Sequence, residues 1–271
     1  MPNLETDHDA PPMKAPHSTT RRRLLRSWRF LLGEFFVVVL GVLVALWVDQ
    51  VRSGRADAAL EVEYLHSFVI DLDADLAQFD SADAWSRRQE AAAATVLALY
   101  DGLPPTNSVA DLVAAVESGG WQHTPSITRN TIDDLRSTGN LRLLRDPTLR
   151  REISSYYTAV DNVSVPNAAM RDRMWNEYDA RVGQVLEPGL RLRALQGDAS
   201  FGRGITSDVL APAELPALND LIAALRAVPE LRVAAGEVLY QSISNRAGVA
   251  QLRRAALELR AVLAEQLNAG G

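Results

Sequence analysis

The sequence predicts an all-α protein: one N-terminal transmembrane helix followed by a helical bundle or stacked helical hairpins. Three observations carry this. Residues 30–48, FLLGEFFVVVLGVLVALWV, form a 19-residue apolar run with a single charge, Glu34. A spanning helix needs about 20 such residues. Beyond that run, apolar residues recur at helical spacing, and no stretch alternates in the manner of a strand. Ala and Leu are abundant while aromatics make up only 6%, a composition that favours helix.

Composition also closes off chemistry. There is no cysteine, so disulfides, thiolate zinc sites, iron–sulfur clusters and Cys nucleophiles are excluded. Of the four His, His8 and His17 lie in a polar N-terminal tail. Only His66 and His123 remain, too few for a His-rich metal site or for most acid–base machinery. Apolar residues at 47% and charged residues at 23% are globular values and exclude wholesale disorder.

Residues 1–27 read as a disordered, basic, cytoplasmic tail, with four Pro in the first 20 positions and little apolar content. Residues 28–50 read as the transmembrane helix. Trp28 and Trp47 bracket it 19 positions apart. At 1.5 Å per residue that is about 28 Å, close to the ~30 Å hydrocarbon core. Tryptophan at both interfaces is the expected anchor. Lys14, Arg21, Arg22, Arg23, Arg26 and Arg29 precede the run, whereas Arg52 and Arg55 beyond it are offset by Asp49 and Asp57. This bias predicts a cytoplasmic N-terminus. Residues 1–29 hold six basic and three acidic groups, net +3, which leaves −9 for the rest of a chain whose total is −6. An acidic domain gives no reason to expect nucleic acid as a partner. The expected partner is the lipid bilayer, with Arg21–Arg23 able to meet anionic headgroups.

Two other readings of the run compete with this one. A buried helix of a soluble protein would tolerate Glu34 more easily, but the flanks fit a membrane segment. A cleaved signal peptide would use Phe35–Val48 as its apolar core. The nearest small-x-small site, Ala56-Asp57-Ala58, lies far beyond the apolar end, and the preceding region is long. The expectation is an uncleaved signal anchor in a bacterial inner membrane, single-pass, with residues 51–271 forming a periplasmic all-helical domain.

In that domain, Leu65, Leu72, Leu76 and Phe79 with Phe68 and Val69 make a helical stripe within residues 56–100. Gly54 is expected to break or bend the helix, and Gly102 with Pro104-Pro105 to stop it. Ser108 caps a short helix bearing Leu112, Val113 and Val116, which ends at Gly119-Gly120. A helical turn or two around 132–137 ends at Gly139, an αL candidate. Asp146-Pro147 starts the next helix as N-cap and first residue, with Pro166 expected to kink or split it. That helix ends by Pro188-Gly189. Residues 189–211 read as irregular, 216–228 as a short helix, and 230–267 as a long one.

Several clusters invite chemistry and most have a plainer reading. Asp71, Asp73 and Asp75 form D-x-D-x-D, but Leu76 and Ala82 stand where a calcium loop needs Gly and Glu, so a solvated acidic face is expected. His123 has Asp133 and Asp134 nearby in sequence, yet a lone His reads as a polar loop residue. His66 reads as flanking the core. Gly202-Arg203-Gly204 lacks both the third Gly and the preceding strand of a phosphate cradle. No G-x-S-x-G elbow occurs. Tyr156-Tyr157 suits core packing better than ligand stacking. No catalytic, cofactor-binding or metal-binding residues are therefore nominated, and no cofactor is expected.

Glu34 is different, because an ionisable group within a span costs about 2.5–3.5 kcal/mol at its centre. Snorkelling to the near interface is one resolution. The sharper one is association: Glu34, Val38, Gly41 and Ala45 share a helical face, and Gly41-x3-Ala45 is a small-residue pair that permits close approach. A homodimer through the transmembrane helix follows as an expectation.

Gly33-Glu34, Gly41 and Ala45-Leu46 match G-E-x6-G-x3-A-L. Leu135-Arg136-Ser137-Thr138-Gly139-Asn140-Leu141, then Leu149 and Tyr156-Tyr157, give a second block. On these residues the sequence resembles an uncharacterised bacterial single-span membrane protein family, domain of unknown function 6090. Gly33, Glu34, Leu135, Ser137, Gly139 and Asn140 are the positions that carry the likeness, which spans residues 29–158. The family usually has Asn-Asn-Trp after the span, where this chain has Asp49-Gln50-Val51. The resemblance implies a topology and no activity.

The function expected is therefore non-enzymatic: a membrane-anchored extracytoplasmic helical scaffold or interaction protein with an unknown protein partner. The alternative is an extracytoplasmic ligand-sensing domain that signals through a partner subunit. A pocket gathering Asp, Arg and His123 would argue for an enzyme, and a solid core for the scaffold.

Overall fold

The structure, a computed structural model, describes residues 20–103, 108–121, 123–196 and 216–270. Among the described residues there are helices and connectors and no strand. The helices are α1 (Thr20–Tyr100), α2 (Val109–Gly119), α3 (Asn130–Ser137), a 3₁₀ turn (Asn140–Leu143), α4 (Pro147–Val182), α5 (Pro188–Gln196), α6 (Leu218–Arg226) and α7 (Pro229–Gly270). The chain divides into two compact units, Met1–Ala59 and Leu60–Gly271.

The first unit is helical from Thr20 onward, so residues 20–27, expected to belong to a disordered tail, lie within α1. Residues 1–19 lie outside the described residues. Helix α1 also runs through Gly54 without a break. A single Gly costs a helix only about 1 kcal/mol relative to Ala, too little to end it. Side chains from Phe35 to Val48 are exposed, apart from the half-buried Val39; Phe36 and Val37 are 69% and 70% exposed.

In the second unit the bundle is built from residues 60–100 of α1, with α4 and α7. One half of the core joins Phe68, Leu72 and Phe79 of α1 to Ile153, Tyr157 and Val160 of α4 and to Leu252, Leu259 and Leu263 of α7. The other half joins Val96 and Leu99 to Leu112 and Val116 of α2, Tyr178 and Val182 of α4, Leu225 of α6 and Leu231 and Val238 of α7. Each fully buried Leu or Phe contributes about 1.5–3 kcal/mol. An exposed ion pair contributes about 0–1 kcal/mol, so the apolar core carries the stability.

Directions follow from paired contacts. Asp73 meets Arg260, Asp80 meets Arg253 and Asp101 meets Arg232, so α7 runs antiparallel to α1. Tyr156 of α4 reaches Asp75, and Tyr178 packs with Val96 and Leu99 further along, so α4 runs parallel to α1. An up–up–down bundle needs a return path between α1 and α4, and residues 121–146 supply it. They lie antiparallel on α1: Ser126 N donates to Gln78, Thr128 N to Asp75, Thr131 N to Asp71 and Arg145 N to Glu61.

Local chemistry sets the helix ends. Gly102 (φ 78°) closes α1 in a Schellman arrangement, with Leu103 N donating to Ala98 O at 3.1 Å and Gly102 N to Leu99 O at 3.3 Å. Pro104-Pro105 lie outside the described residues. Ser108 Oγ accepts from Asp111 N, and Asp146 Oδ1 from Thr148 N at 2.7 Å with Pro147 as first helical residue. Gly139 takes φ 72° after α3.

Two expectations fail here. Helix α4 is not split at Pro166. An interior Pro costs about 3 kcal/mol, and the turns on either side pack into the two halves of the core, which outweighs it. The stretch expected to be irregular begins with a helix, α5, whose first residue is Pro188. Leu190 packs inward, and Leu190 N and Arg191 N both donate to Glu187 O. Residues 197–215, with Gly202-Arg203-Gly204, lie outside the described residues.

Candidate functional site

The residues expected to form an association face lie on an unobstructed helical surface. Glu34, Val38, Gly41 and Ala45 are all exposed, and a Cβ built on Gly41 meets nothing within 4 Å. Close backbone approach there is open to another helix.

The second block of family-like residues is built into the return path. Leu135 is fully buried in the core. Ser137 Oγ donates to Asp134 O at 3.1 Å, and Gly139 supplies the left-handed turn. Asn140 Nδ2 donates to Tyr64 Oη at 3.4 Å, while that hydroxyl donates to Asp134 Oδ2 at 2.7 Å. These positions fasten α3 and the 3₁₀ turn to α1. A recess of about 310 Å³ beside them is lined by Tyr64, Ser67, Thr131 and Asp134.

The Asp71-x-Asp73-x-Asp75 face is not a solvated one. Asp71 and Asp75 are buried, at 7% and 0% exposure. Asp71 Oδ2 accepts from Thr131 N at 3.1 Å. Asp75 Oδ1 accepts from Thr128 N and Oδ2 from Tyr156 Oη, both at 2.7 Å. Only Asp73 points outward, to Arg260 at 2.6 Å. A connector crossing a helix carries backbone N–H groups that need acceptors once buried, and two carboxylates one turn apart provide them. Burial pushes the Asp75 carboxyl above its ordinary range, although its Thr128 and Tyr156 hydrogen bonds oppose this. Burial, and then the bond to Asp75, push the Tyr156 phenol far above its ordinary range. Tyr156 and Tyr157 are core residues, with their rings edge to face at 5.1 Å between centroids.

An aromatic group sits further along. His123 stacks on Trp85 (6.2 Å between centroids, 17° between planes), Arg88 lies over Trp85 at 5.4 Å, and Trp121 meets Trp175 edge to face at 5.2 Å. Asp133 and Asp134 are not brought to His123; Asp134 holds Tyr64 and Asp133 lies 4.0 Å from Arg136. His66, expected to flank the core, is exposed, with Nδ1 2.9 Å from Val62 O. Nearby, Glu117 is a buried carboxylate with a cationic partner: Arg191 Nε and Nη2 donate to its two oxygens at 2.8 and 3.0 Å, and Arg191 also holds Asp179. That bidentate pair docks α5 on α2.

Among the described residues, no group of three or more His, Cys, Asp or Glu is arranged to hold a metal ion. A recess of about 350 Å³ lies between α4 and α7, where Tyr156, Ala159, Leu259 and Val262 form an apolar floor flanked by Glu152 and Glu258. A third of about 330 Å³ is lined by Trp85, Arg88, Gln89 and alanines. All three are surface recesses. No family model, no curated protein and no solved structure matches this chain.

Proposed function

We propose that this chain is a membrane-anchored helical interaction protein, without catalytic activity of its own, whose larger unit lies on the extracytoplasmic side. One observation carries the interaction role. Four buried polar side chains of the larger unit are engaged in holding the fold: Asp71 and Asp75 on the return path, Glu117 on Arg191, and Gln89 on Gly119 O and Ser242. A bundle built this way offers its surface, not a cleft. The anchoring role is supported by α1, whose N-terminal part contains a stretch long and apolar enough, by length and composition, to cross a bilayer. The basic flank, the resemblance noted above and the outward apolar side chains point the same way, with the N-terminus cytoplasmic and the bacterial inner membrane as the site.

The test has two arms. A reporter active only outside the cytoplasm should work when fused after Gly271; a cytoplasm-only reporter working there reverses the orientation. Chemical crosslinking in membranes, followed by purification in detergent, should recover the chain with a stoichiometric protein, either another chain or a second copy. A chain recovered alone and monomeric removes the interaction role.

The ligand-sensing alternative is favoured by the recess between α4 and α7. Its apolar floor with Glu152 and Glu258 suits an organic amine with a hydrophobic body. A series of alkyl amines that leaves the melting temperature of the purified chain unchanged eliminates that ligand.

A further inference from the structure

We infer that the outer face of α7 is the interface for a second copy of this chain, with the two α7 helices paired in parallel. The inference names a partner for the interaction role proposed above and takes its biological sense from that role.

Helix α7 carries two apolar seams. One faces the core. The other faces solvent and follows alternating spacings of three and four from Val233 to Ala261. Its large members are Val233, Tyr240, Ile243 and Leu257, which are 64%, 73%, 54% and 42% exposed. Between them stand Gly236, Ala247 and Ala250, and a Cβ on Gly236 would meet nothing within 4 Å. Isolated exposed apolar residues are ordinary. A run held in heptad register over 28 residues, about 42 Å of helix, is the pattern of a coiled-coil seam. Small residues at its centre let two helices approach closely. Arg254 falls at a single seam position, where a polar residue fixes register.

The flanking charges choose the occupant and its direction. On one side of the seam lie Arg232, Arg253 and Arg260; on the other lie Glu237, Glu258 and Glu265. In a parallel pair each flanking residue meets the one five positions later on the other helix. Arg232 then faces Glu237, Arg253 faces Glu258 and Arg260 faces Glu265, each across the dimer and each twice by symmetry. An antiparallel pair centred between Ala247 and Ala250 instead sets Glu237 against Glu258 and Arg246 against Arg253. The flanking charges are thus self-complementary in one direction only. The three arginines already hold Asp101, Asp80 and Asp73 of α1 at 3.0, 2.8 and 2.6 Å, with half of each side chain still open to solvent. Glu237, Glu258 and Glu265 carry no ion pair among the described residues. A second copy brings each arginine its second acid.

The chain contains no cysteine, so single-Cys variants of the full-length protein report the interface in native membranes without background. Val233→Cys, Ala250→Cys and Leu257→Cys lie on the exposed seam, and Ser154→Cys on the exposed side of α4 is the control. Oxidation should give disulfide-linked dimer at all three seam positions, at least fivefold above the control. Adding Ile243→Glu to Ala250→Cys should cut the dimer about fivefold, while adding Gly41→Leu should leave it. Crosslinking at Ala250→Cys alone means antiparallel pairing and overturns the parallel assignment. Control-level crosslinking at every seam position overturns the interface, even if another protein is recovered with the chain, in which case the interaction role stands with a different partner. Dimers abolished by Gly41→Leu assign self-association to the span and overturn the α7 interface.

Discussion

Arg191→Met tests how the second half of the bundle is closed. The Glu117 side chain is 4% exposed and its two oxygens take both bonds from a guanidinium that is itself 22% exposed. Removing the cation leaves a carboxylate with no counterion in a site it cannot leave. Breaking such a pair costs about 3–5 kcal/mol. Water reaches Arg191, so the lower end, about 3 kcal/mol, applies here. Asp179 loses the same partner but is 36% exposed, so its share is that of a surface pair, about 0–1 kcal/mol. For a unit of this size each kcal/mol moves the melting temperature by about 2–4 °C, which gives a drop of about 6–12 °C. The assay is thermal and urea unfolding of the purified chain followed by circular dichroism. The double variant Glu117→Leu/Arg191→Met removes the orphaned charge along with the cation and should recover most of the loss. A single variant within about 1 kcal/mol of the parent, or a double variant showing simple additivity, would refute the assignment of this pair as the clamp between α2 and α5.

Gly139→Ala should cost about 1 kcal/mol from the backbone alone, because φ is 72° and a Cβ there meets no neighbour; an unchanged urea midpoint contradicts the strained turn. Asp75→Asn should reshape the pH dependence. The native carboxyl is held above its ordinary range by burial, so the folded chain binds that proton more tightly than the unfolded one. Its contribution is full below the unfolded value of about 4 and declines as pH rises toward the native value. The unfolding free energy of Asp75→Asn relative to wild type should therefore improve from pH 4 to pH 7, and a constant difference discards the buried-carboxyl account.

The parts legible in sequence are those that neighbouring residues decide. Ser108, Asp146-Pro147, Gly102 and Gly139 each satisfy or terminate backbone groups within a few positions, so the helix ends were readable. Burial is decided by residues far away, and there the reading failed. Asp71 and Asp75 look like a charged surface until Thr128 and Thr131, more than fifty positions on, are laid across them. Pro166 does not split α4 because a local penalty of about 3 kcal/mol says nothing about the packing that opposes it, and Gly54 costs too little to break α1. The parallel course of α4 depends on how a long connector returns, which no periodicity records. The sequence does carry one long-range signal: Arg246, Arg253 and Arg260 stand seven apart, as do Asp73 and Asp80, and Arg232 and Asp101 continue the two series at multiples of seven.

That ladder between α1 and α7 has a mechanical meaning. A series that repeats every seven residues matches itself again after a shift of seven, about 10.5 Å. Charge alone therefore tells the two helices which faces to align but not where along each other to stop. The stop comes from features without a period. Gln89 receives the Ser242 hydroxyl at 2.7 Å, Asn245 donates to Ser86 at 3.0 Å, and a Cβ on Gly248 would come 3.0 Å from Val163. A shift of one heptad that sets Arg253 opposite Asp73 and Arg246 opposite Asp80 would keep two rungs of the ladder, strip those polar partners from one another and bring Gln241, seven positions back, to the tight place that Gly248 holds against Val163. The arginines act as a rail, and a few aperiodic contacts near the middle of the bundle act as the detent that holds α7 in one register.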